Sequence, residues 1–232
     1  MKFSFIIPAK NEEGYIGECL ESIKAQKNKN YEIIVVDSYS NDNTAKIASR
    51  YGAKVVFEKR KGPAVARNTG AEKATGDVLV FADADVRFSR DFIDEIEIRF
   101  FNRPIKLGGA IFRLETYDAK SSSVKAAYKF ANVLVNLSNR LGIVMTLGSC
   151  FVFEKGVFNA VGGFNHELLT NEDHDIARRV AKEKHVRYFS DITVYTSSRR
   201  VAKRGIFRMV MTYAKSTLVY FLKHKSLKDY WD

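Results

Sequence analysis

The sequence predicts an α/β fold in which a mostly parallel sheet is flanked by helices and followed by a helical tail. Three observations carry that expectation. Short apolar, β-branched-rich runs recur through the first hundred residues, the segments between them repeat apolar residues at helical spacing, and the runs end in polar clusters. Strand and helix alternating in this way imply right-handed crossovers and a ligand crevice beyond the carboxyl ends of the strands.

In order, residues 3–7 make the first run and give way to Pro8, Ala9, Lys10, Asn11 and Glu12; Ile16, Leu20 and Ile23 then predict a helix. Residues 31–36 make the second run and lead into Asp37, Ser38, Tyr39, Ser40, Asn41 and Asp42, with Ile47 and Tyr51 marking the next helix. The third run, 54–57, is followed by Lys59, Arg60, Lys61, Gly62 and Pro63, and the fourth, 78–82, runs straight into Asp83 and Asp85. Taken singly, these clusters have ordinary roles: Asn11 can cap the first helix, and Asn41, Asp42 or Asn43 the second. The basic cluster reads either as an exposed turn or, with Arg67 and a glycine beside a helix start, as a seat for a diphosphate.

Asp83 and Asp85 carry the sharpest chemistry. Alternate residues leaving an extended segment point the same way, so both carboxylates can face one site, where their hard oxygens suit Mg²⁺ or Mn²⁺. A divalent cation that also holds phosphates is the natural occupant; a solvated Asp-x-Asp loop is the plainer alternative.

Composition narrows the class. The 232 residues, 46% of them hydrophobic, suffice for one sizeable core without staples. Cys19 and Cys150 are too few and too far apart in sequence for a disulfide framework and fit a reducing compartment. The first apolar run is cut short by Lys10 and Glu12, which reads as neither signal peptide nor membrane span and points to the cytoplasm. The net charge of +11 is unevenly spread: residues 1–100 balance 16 Lys and Arg against 16 Asp and Glu, whereas residues 197–232 carry nine against two. With the excess in a tail, and neither a helix-turn-helix nor an RNP signature present, no nucleic-acid partner is expected.

Several ordered blocks together resemble the family 2 glycosyltransferases, which have the GT-A fold. They are residues 6–12 (Ile-Ile-Pro-Ala-Lys-Asn-Glu), 35–44 (Val-Val-Asp-Ser-Tyr-Ser-Asn-Asp-Asn-Thr), 62–70 with Ala66, Arg67 and Asn68, and the Asp83, Ala84, Asp85 tip. Gly148 and Ser149, leading to Gly162, Gly163 and Phe164, look like the family's acceptor-side segment. Asn171, Glu172, Asp173, His174 and Asp175, with Arg179, look like its Glu-Asp motif. The resemblance covers roughly residues 1–200. It implies a GT-A-like, Rossmann-type sheet and transfer of a sugar from a nucleotide-diphosphate sugar to an acceptor hydroxyl, with inversion at the anomeric carbon. In that scheme Pro8, Ala9, Asn11 and Glu12 line the nucleoside pocket with Asp37 and Ser38, and Lys61 and Arg67 approach the diphosphate. Asp83 contacts ribose or metal, and Asp85 ligates Mn²⁺ or Mg²⁺. Gly148, Ser149 and Glu172 border the acceptor, and Asp173 is the base. Inversion needs one base opposite the leaving group and no covalent nucleophile, so a lone carboxylate far along the chain suffices. The same acids also suit the first turn of a helix over 172–184.

Two departures alter the detail. Ser38 stands where many relatives carry a second Asp, which loosens the preference for uridine. The Gln-x-x-Arg-Trp element of processive members is missing, so single additions are expected and Arg199 and Arg200 become candidates for diphosphate contacts. Among rival readings, a sugar-nucleotide pyrophosphorylase would want a glycine-rich loop after the first strand, and a dehalogenase-type phosphatase its Asp-x-Asp there. A non-catalytic nucleotide-sugar-binding module would keep Asp83 and Asp85 without needing Asp173.

Residues 1–200 are thus expected to form the transferase domain, 1–100 its nucleotide-binding half and 101–200 its acceptor half, with 201–232 a basic amphipathic helical tail. In 124–144, Lys125, Lys129, Asn132, Asn136 and Asn139 recur at helical spacing among Ala127, Tyr128, Ala131, Leu134, Val135 and Leu141, predicting an amphipathic helix packed on the core. Residues 206–222 are apolar but interrupted by Arg208 and Lys215, too short and too charged to span a bilayer yet suited to an interface. Arg199, Arg200, Lys203 and Arg204 precede this helix, Lys223, Lys225 and Lys228 follow it, and Ile206, Val210, Tyr213, Thr217 and Tyr220 share a face. It either attaches the chain to the anionic inner face of the cell membrane, where a lipid-linked acceptor would be presented, or docks on the sheet with its basic face solvated.

Overall fold

A computed structural model of the chain describes residues 1–101 and 106–223. The expected alternation opens it: β1 (Phe3–Ala9), α1 (Ile16–Lys24), β2 (Tyr31–Asp37), α2 (Thr44–Arg50), β3 (Lys54–Phe57), α3 (Pro63–Lys73) and β4 (Val78–Ala82). There follow α4 (Phe92–Phe101), β5 (Leu107–Thr116), α5 (Ser122–Arg140), β6 (Cys150–Glu154), α6 (Lys155–Ala160), α7 (Glu172–Glu183), β7 (His185–Thr196), α8 (Arg199–Arg204) and α9 (Ile206–Lys223).

The strands form one sheet in the order β3-β2-β1-β4-β6-β5-β7. Neighbours are parallel except for β6, which runs antiparallel to both β4 and β5. Side chains of the inner strands alternate between two cores, as a period of two requires: Phe3, Phe5 and Ile7 of β1 join one, Ile6 the other; Val78 and Val80 of β4 join one, Leu79 and Phe81 the other. Burial on both faces is why these strands read as unbroken apolar runs.

Three packing details aim this frame at the crevice. The antiparallel entry of β6 pairs Cys150 with Ala82, so the residues before β6 lie against the tip of β4. Pairing of Thr116 with Thr196 ends β7 on the same edge and delivers α8 there. Gly70 lets α3 press on the sheet, because a Cβ at that position would lie 2.4 Å from a methyl of Ile6; Arg67 is thereby carried beneath the strand ends.

Two helices depart from expectation. α5 packs on the sheet as predicted but not by the expected face alone: Asn132 is buried beside Val135, whereas Leu134 and Leu141 are exposed. Asn132 Oδ1 accepts from Leu114 N–H (2.9 Å) and Tyr188 O–H (2.9 Å), and its Nδ2 donates to the carbonyls of Leu114 (2.7 Å) and Tyr128 (2.8 Å). A buried amide making four such bonds is a better anchor for backbone polar groups than an apolar side chain. α9 docks beside the start of α7 through buried Ser216 and Tyr220, and its outer face is apolar rather than basic. Val210, placed by spacing on the face of Tyr220, is exposed. Lys225 and Lys228 lie outside the described residues. No helix among the described residues is long and apolar enough to cross a membrane.

Candidate active site

Because β1 and β2 pair in register to Ala9 and Asp37, the loops that follow run side by side. They are stitched together by Ser38 N–H to the Ala9 carbonyl (2.9 Å), Asn11 N–H to Ser40 Oγ (2.9 Å) and Asn41 N–H to Asn11 Oδ1 (2.8 Å). Asn11 takes a left-handed backbone (φ 55°) to do this. It therefore does not cap α1, whose N-cap is Tyr15 with no side-chain cap bond. Asn43 is the N-cap of α2, also without a side-chain bond, while Asp42 Oδ1 accepts Thr44 N–H (2.9 Å). Asp37 is fully buried; its Oδ1 accepts Ser40 N–H (2.6 Å), and its Oδ2 has no protein partner. Glu12 is similar, with Oε1 accepting from Arg199 (2.7 Å) and Oε2 buried and bare. Two bare buried carboxylate oxygens are costly unless a ligand fills them. Pro8 and Ala9 contribute the end of β1, and Lys61 is exposed beside the start of α3.

The tip of β4 lies between two arginines. Arg67 is buried, donates from Nη2 to Asp83 Oδ1 (3.0 Å) and from Nη1 to Glu172 Oε1 (2.7 Å), and packs over the rings of Phe151 and Phe164. Arg199 Nε donates to Asp85 Oδ2 (2.9 Å) while its Nη2 reaches Glu12, and Arg200 stands 4.0 Å from Asp83. Asp85 also accepts from the Thr196 hydroxyl (3.3 Å). Burial first, then the charge of Asp83, lifts Asp85 above the ordinary carboxylate range despite the nearby arginines. Glu12 is raised by burial, which outweighs its bond to Arg199.

A further cluster is built on the first turn of α7. Asp173 is buried and its Oδ2 accepts from the Thr146 hydroxyl and lies 3.3 Å from His174 Nδ1, which is itself 3.0 Å from Thr146 Oγ1. Burial alone would raise Asp173, but the charge of His174, its hydrogen bond and the Thr146 hydroxyl together hold the carboxyl well below its ordinary range. His174 is raised in turn: burial opposes its charge, and Asp173 more than offsets that. Glu172 is raised by burial first, with Arg67 opposing and Asp173 assisting. Gly148, in a left-handed backbone (φ 79°), passes Asp173 so closely that an added Cβ would sit 3.4 Å from Oδ2. The Ser149 carbonyl accepts Asp83 N–H (3.0 Å), tying this loop to the tip of β4.

The structure thus gathers Glu12, Arg67, Asp83, Asp85, Ser149, Glu172, Arg199 and Arg200 into one connected network, with Asp173 and Gly148 at its border and Asn11, Asp37 and Ser38 on the adjoining loops. Sequence reasoning gave no role to Thr146, a lone hydroxyl in an apolar stretch. It gave none to Asn68, whose amide clamps Phe164 by N–H (2.8 Å) and C=O (2.9 Å) contacts with its backbone. Among the described residues, no group of three or more His, Cys, Asp or Glu side chains is assembled to hold a metal ion. Asp85 and Glu12 are both tied to Arg199, Glu12 through Oε1 with Oε2 left bare, and a cation on Asp85 would have to share or displace the guanidinium.

A sheet of this order, with carboxylates and arginines gathered at its carboxyl edge, defines an α/β domain, and comparison with known proteins specifies the family. The chain belongs to glycosyl transferase family 2, whose family model matches residues 4–162. It is 28% identical over 198 residues to an uncharacterized glycosyltransferase of Rickettsia felis, an alignment covering 72% of this chain and 32% of that protein. The chain therefore spans about a third of that relative. Its fold is similar to the mannosyltransferase PcManGT from Pyrobaculum calidifontis in complex with GDP-Man and Mn²⁺, with a TM-score of 0.75 at 24% identity, covering 96% of this chain and 64% of that one. It is also similar to S. aureus TarS 1–349 in complex with UDP-GlcNAc, with a TM-score of 0.66 at 21% identity, covering 85% and 58%. The GT-A-like fold is established by these likenesses together with the sheet itself.

Proposed function

We propose that this chain transfers a single sugar from a nucleotide-diphosphate sugar to an acceptor hydroxyl with inversion, residues 1–100 holding the donor and 101–200 the acceptor. The observation that carries this reading is Arg67, one buried guanidinium joining Asp83 at the strand tip to Glu172 beside Asp173. It fixes the donor end and the candidate base in one rigid unit. Asp37 Oδ2 and Glu12 Oε2 accept hydroxyls of the nucleoside, with Pro8, Ala9, Asn11 and Ser38 lining the pocket; Lys61, Arg199 and Arg200 turn toward the diphosphate. The acceptor oxygen attacks the anomeric carbon as the bond to the diphosphate oxygen breaks. The electron pair leaves with the nucleoside diphosphate, and the acceptor proton passes to Asp173. Gly148, with no side chain to block Asp173, and Ser149 leave the acceptor room to approach.

Mn²⁺ or Mg²⁺, when bound, would offset charge on the diphosphate, with Asp85 as its main ligand, supplemented by Asp83 or Glu12. The relatives crystallised with GDP-Man and Mn²⁺ or with UDP-GlcNAc support a donor of this class and leave the base unassigned. The acceptor is a saccharide or lipid-linked saccharide reached at the cytoplasmic membrane surface, with 201–232 as the attachment segment.

Asp173→Asn tests the central step. It should leave donor binding by calorimetry within about twofold while lowering turnover roughly 10²–10⁴-fold, the usual worth of a general base. Near-normal turnover would move the role to Glu172 or Asp175, and loss of donor binding with it would reduce Asp173 to a structural residue.

A further inference from the structure

The strangest feature of the chain lies outside the crevice. On α5 the apolar stripe Phe130, Leu134, Leu137 and Leu141 is between 45% and 70% exposed, while Asn132 on the opposite face is buried. On α9 the stripe Phe207, Met211, Leu218 and Leu222 is between 54% and 77% exposed. Its inner face is held by hydroxyls and an amide: Asn171 Nδ2 donates to Ser216 Oγ (2.6 Å), Thr217 O–H to Asn171 Oδ1 (3.3 Å) and Tyr220 O–H to Asp175 Oδ1 (3.0 Å). α9 therefore grips the body largely with polar side chains, α5 with Asn132 beside Val135, and both turn an apolar stripe outward, unlike the ordinary surface helix. Exposed apolar stripes of this extent mark an interaction site rather than a solvated face.

Charge identifies the occupant. The sequence has no Asp or Glu from Ala119 to Phe153 or from Ile192 to Lys228. Within those stretches Lys125, Lys129 and Arg140 lie exposed on α5, and Arg208 and Lys215 on α9. A protein partner or second copy would need complementary carboxylates, which these two segments do not offer each other, whereas apolar side chains on segments whose own charges are all cationic match acyl chains beneath anionic headgroups. Tyr213 of α9 lies within electrostatic reach of Tyr128 of α5, whose hydroxyl is raised to about 12 by burial first and Tyr213 second. Through α8 the surface also adjoins Arg199 and Arg200 at the crevice.

We infer that the outward faces of α5 and α9 together form a docking surface for an anionic lipid bilayer, set beside the acceptor side of the site. This deepens the reading above, resting on it only for the acceptor's membrane location; the vesicle surface is predicted whether or not the sugar chemistry is right.

Co-sedimentation of the full chain with phosphatidylglycerol–phosphatidylcholine vesicles tests it. Wild type should bind these vesicles, bind pure phosphatidylcholine much more weakly, and be released by high salt. Leu134→Glu with Leu137→Glu on α5, and separately Met211→Glu with Leu218→Glu on α9, should each weaken binding about tenfold or more. All four side chains are exposed, so an unchanged thermal midpoint should show that each variant is folded. Equal binding to neutral vesicles, no binding to either, or wild-type binding by the folded α5 variant would overturn the inference. So would a concentration-dependent dimer in sedimentation velocity that the same substitutions abolish without any vesicle binding, which would assign the surface to a second copy. Nucleoside-diphosphate binding, measured in parallel, separates the claims: its loss from wild type would sink the donor reading and leave the surface standing.

Discussion

Replacing Arg67 with Met removes the one cation that neutralises both Asp83 and Glu172. The guanidinium is 5% exposed and its partners 17% and 10%, so water cannot take its place. Deleting one partner of a buried ion pair costs roughly 3–5 kcal/mol, because the abandoned charge stays desolvated. Glu172 limits that cost, since burial and Asp173 already push its pKa up and Arg67 is the main opposing influence; without Arg67 it rises further and takes a proton instead of remaining charged. About 3 kcal/mol is therefore expected at alkaline pH. With a urea dependence of roughly 2–3 kcal/mol per molar, the denaturation midpoint should fall by about 1–1.5 M. A carboxyl whose folded pKa lies above its unfolded value binds more protons when folded, so stability falls as pH rises between the two. The deficit should accordingly be larger at pH 8 than near the ordinary glutamate value of 4.5. A midpoint that barely moves, or a deficit that grows on acidification, would refute the claim that Arg67 neutralises this pair.

Other substitutions probe the remaining contacts. His174→Gln removes the cation that depresses Asp173, so if Asp173 is the base, the acid limb of the kcat/KM–pH profile should move to higher pH; an unmoved limb would deny the coupling. Arg199→Gln frees Asp85 and Glu12 from a charge-assisted bond, a class of interaction worth about 1.5–3 kcal/mol. Calorimetry should find Mn²⁺ alone bound roughly tenfold tighter, with turnover reduced; weaker Mn²⁺ binding would show that Arg199 supports the cation site instead of competing for it. Asn132→Leu leaves the Leu114 N–H and C=O and the Tyr188 hydroxyl without their buried partner. A loss of about 2–4 kcal/mol is expected by urea titration, even though the change makes the helix more apolar.

The first half of the fold was legible because its physics is local. Strands buried on both faces must be continuously apolar, and helices between them must carry a stripe, so β1, β2 and β4 could be drawn from spacing alone, with the short edge strand β3 read from its β-branched pair Val55 and Val56. The strand-end clusters followed from topology. What spacing could not give was direction. A helical wheel separates the Asn132 side of α5 from the Leu134 side but does not say which one meets the sheet. Burial of the amide is decided by unpaired backbone groups of β5, which no periodicity within α5 records. Asn11 misled for a related reason. An Asn before a helix reads as a cap, yet its carboxamide is taken by Asn41 N–H from the neighbouring loop, a partner supplied by the pairing of β1 with β2.

The two arginines divide the site in a way that motifs do not reveal. Each joins one carboxylate of the β4 tip to one from elsewhere in the chain: Arg67 ties Asp83 to Glu172, and Arg199, 187 residues after Glu12, ties it to Asp85. Their surroundings differ. Arg67 is 5% exposed and seated over Phe151 and Phe164, whereas Arg199 is 25% exposed and rests on Tyr15 at the start of α1. Moving Arg67 would leave Asp83 with only Arg200 4.0 Å away and force the buried Glu172 to take a proton; moving Arg199 would release two carboxylates, both raised, which a divalent cation as well as a proton can neutralise. On the proposed reading Arg67 is therefore the fixed strut between donor and acceptor sides, and Arg199, together with Arg200 beside Asp83, is the cation that would leave the protein's own carboxylates for a diphosphate.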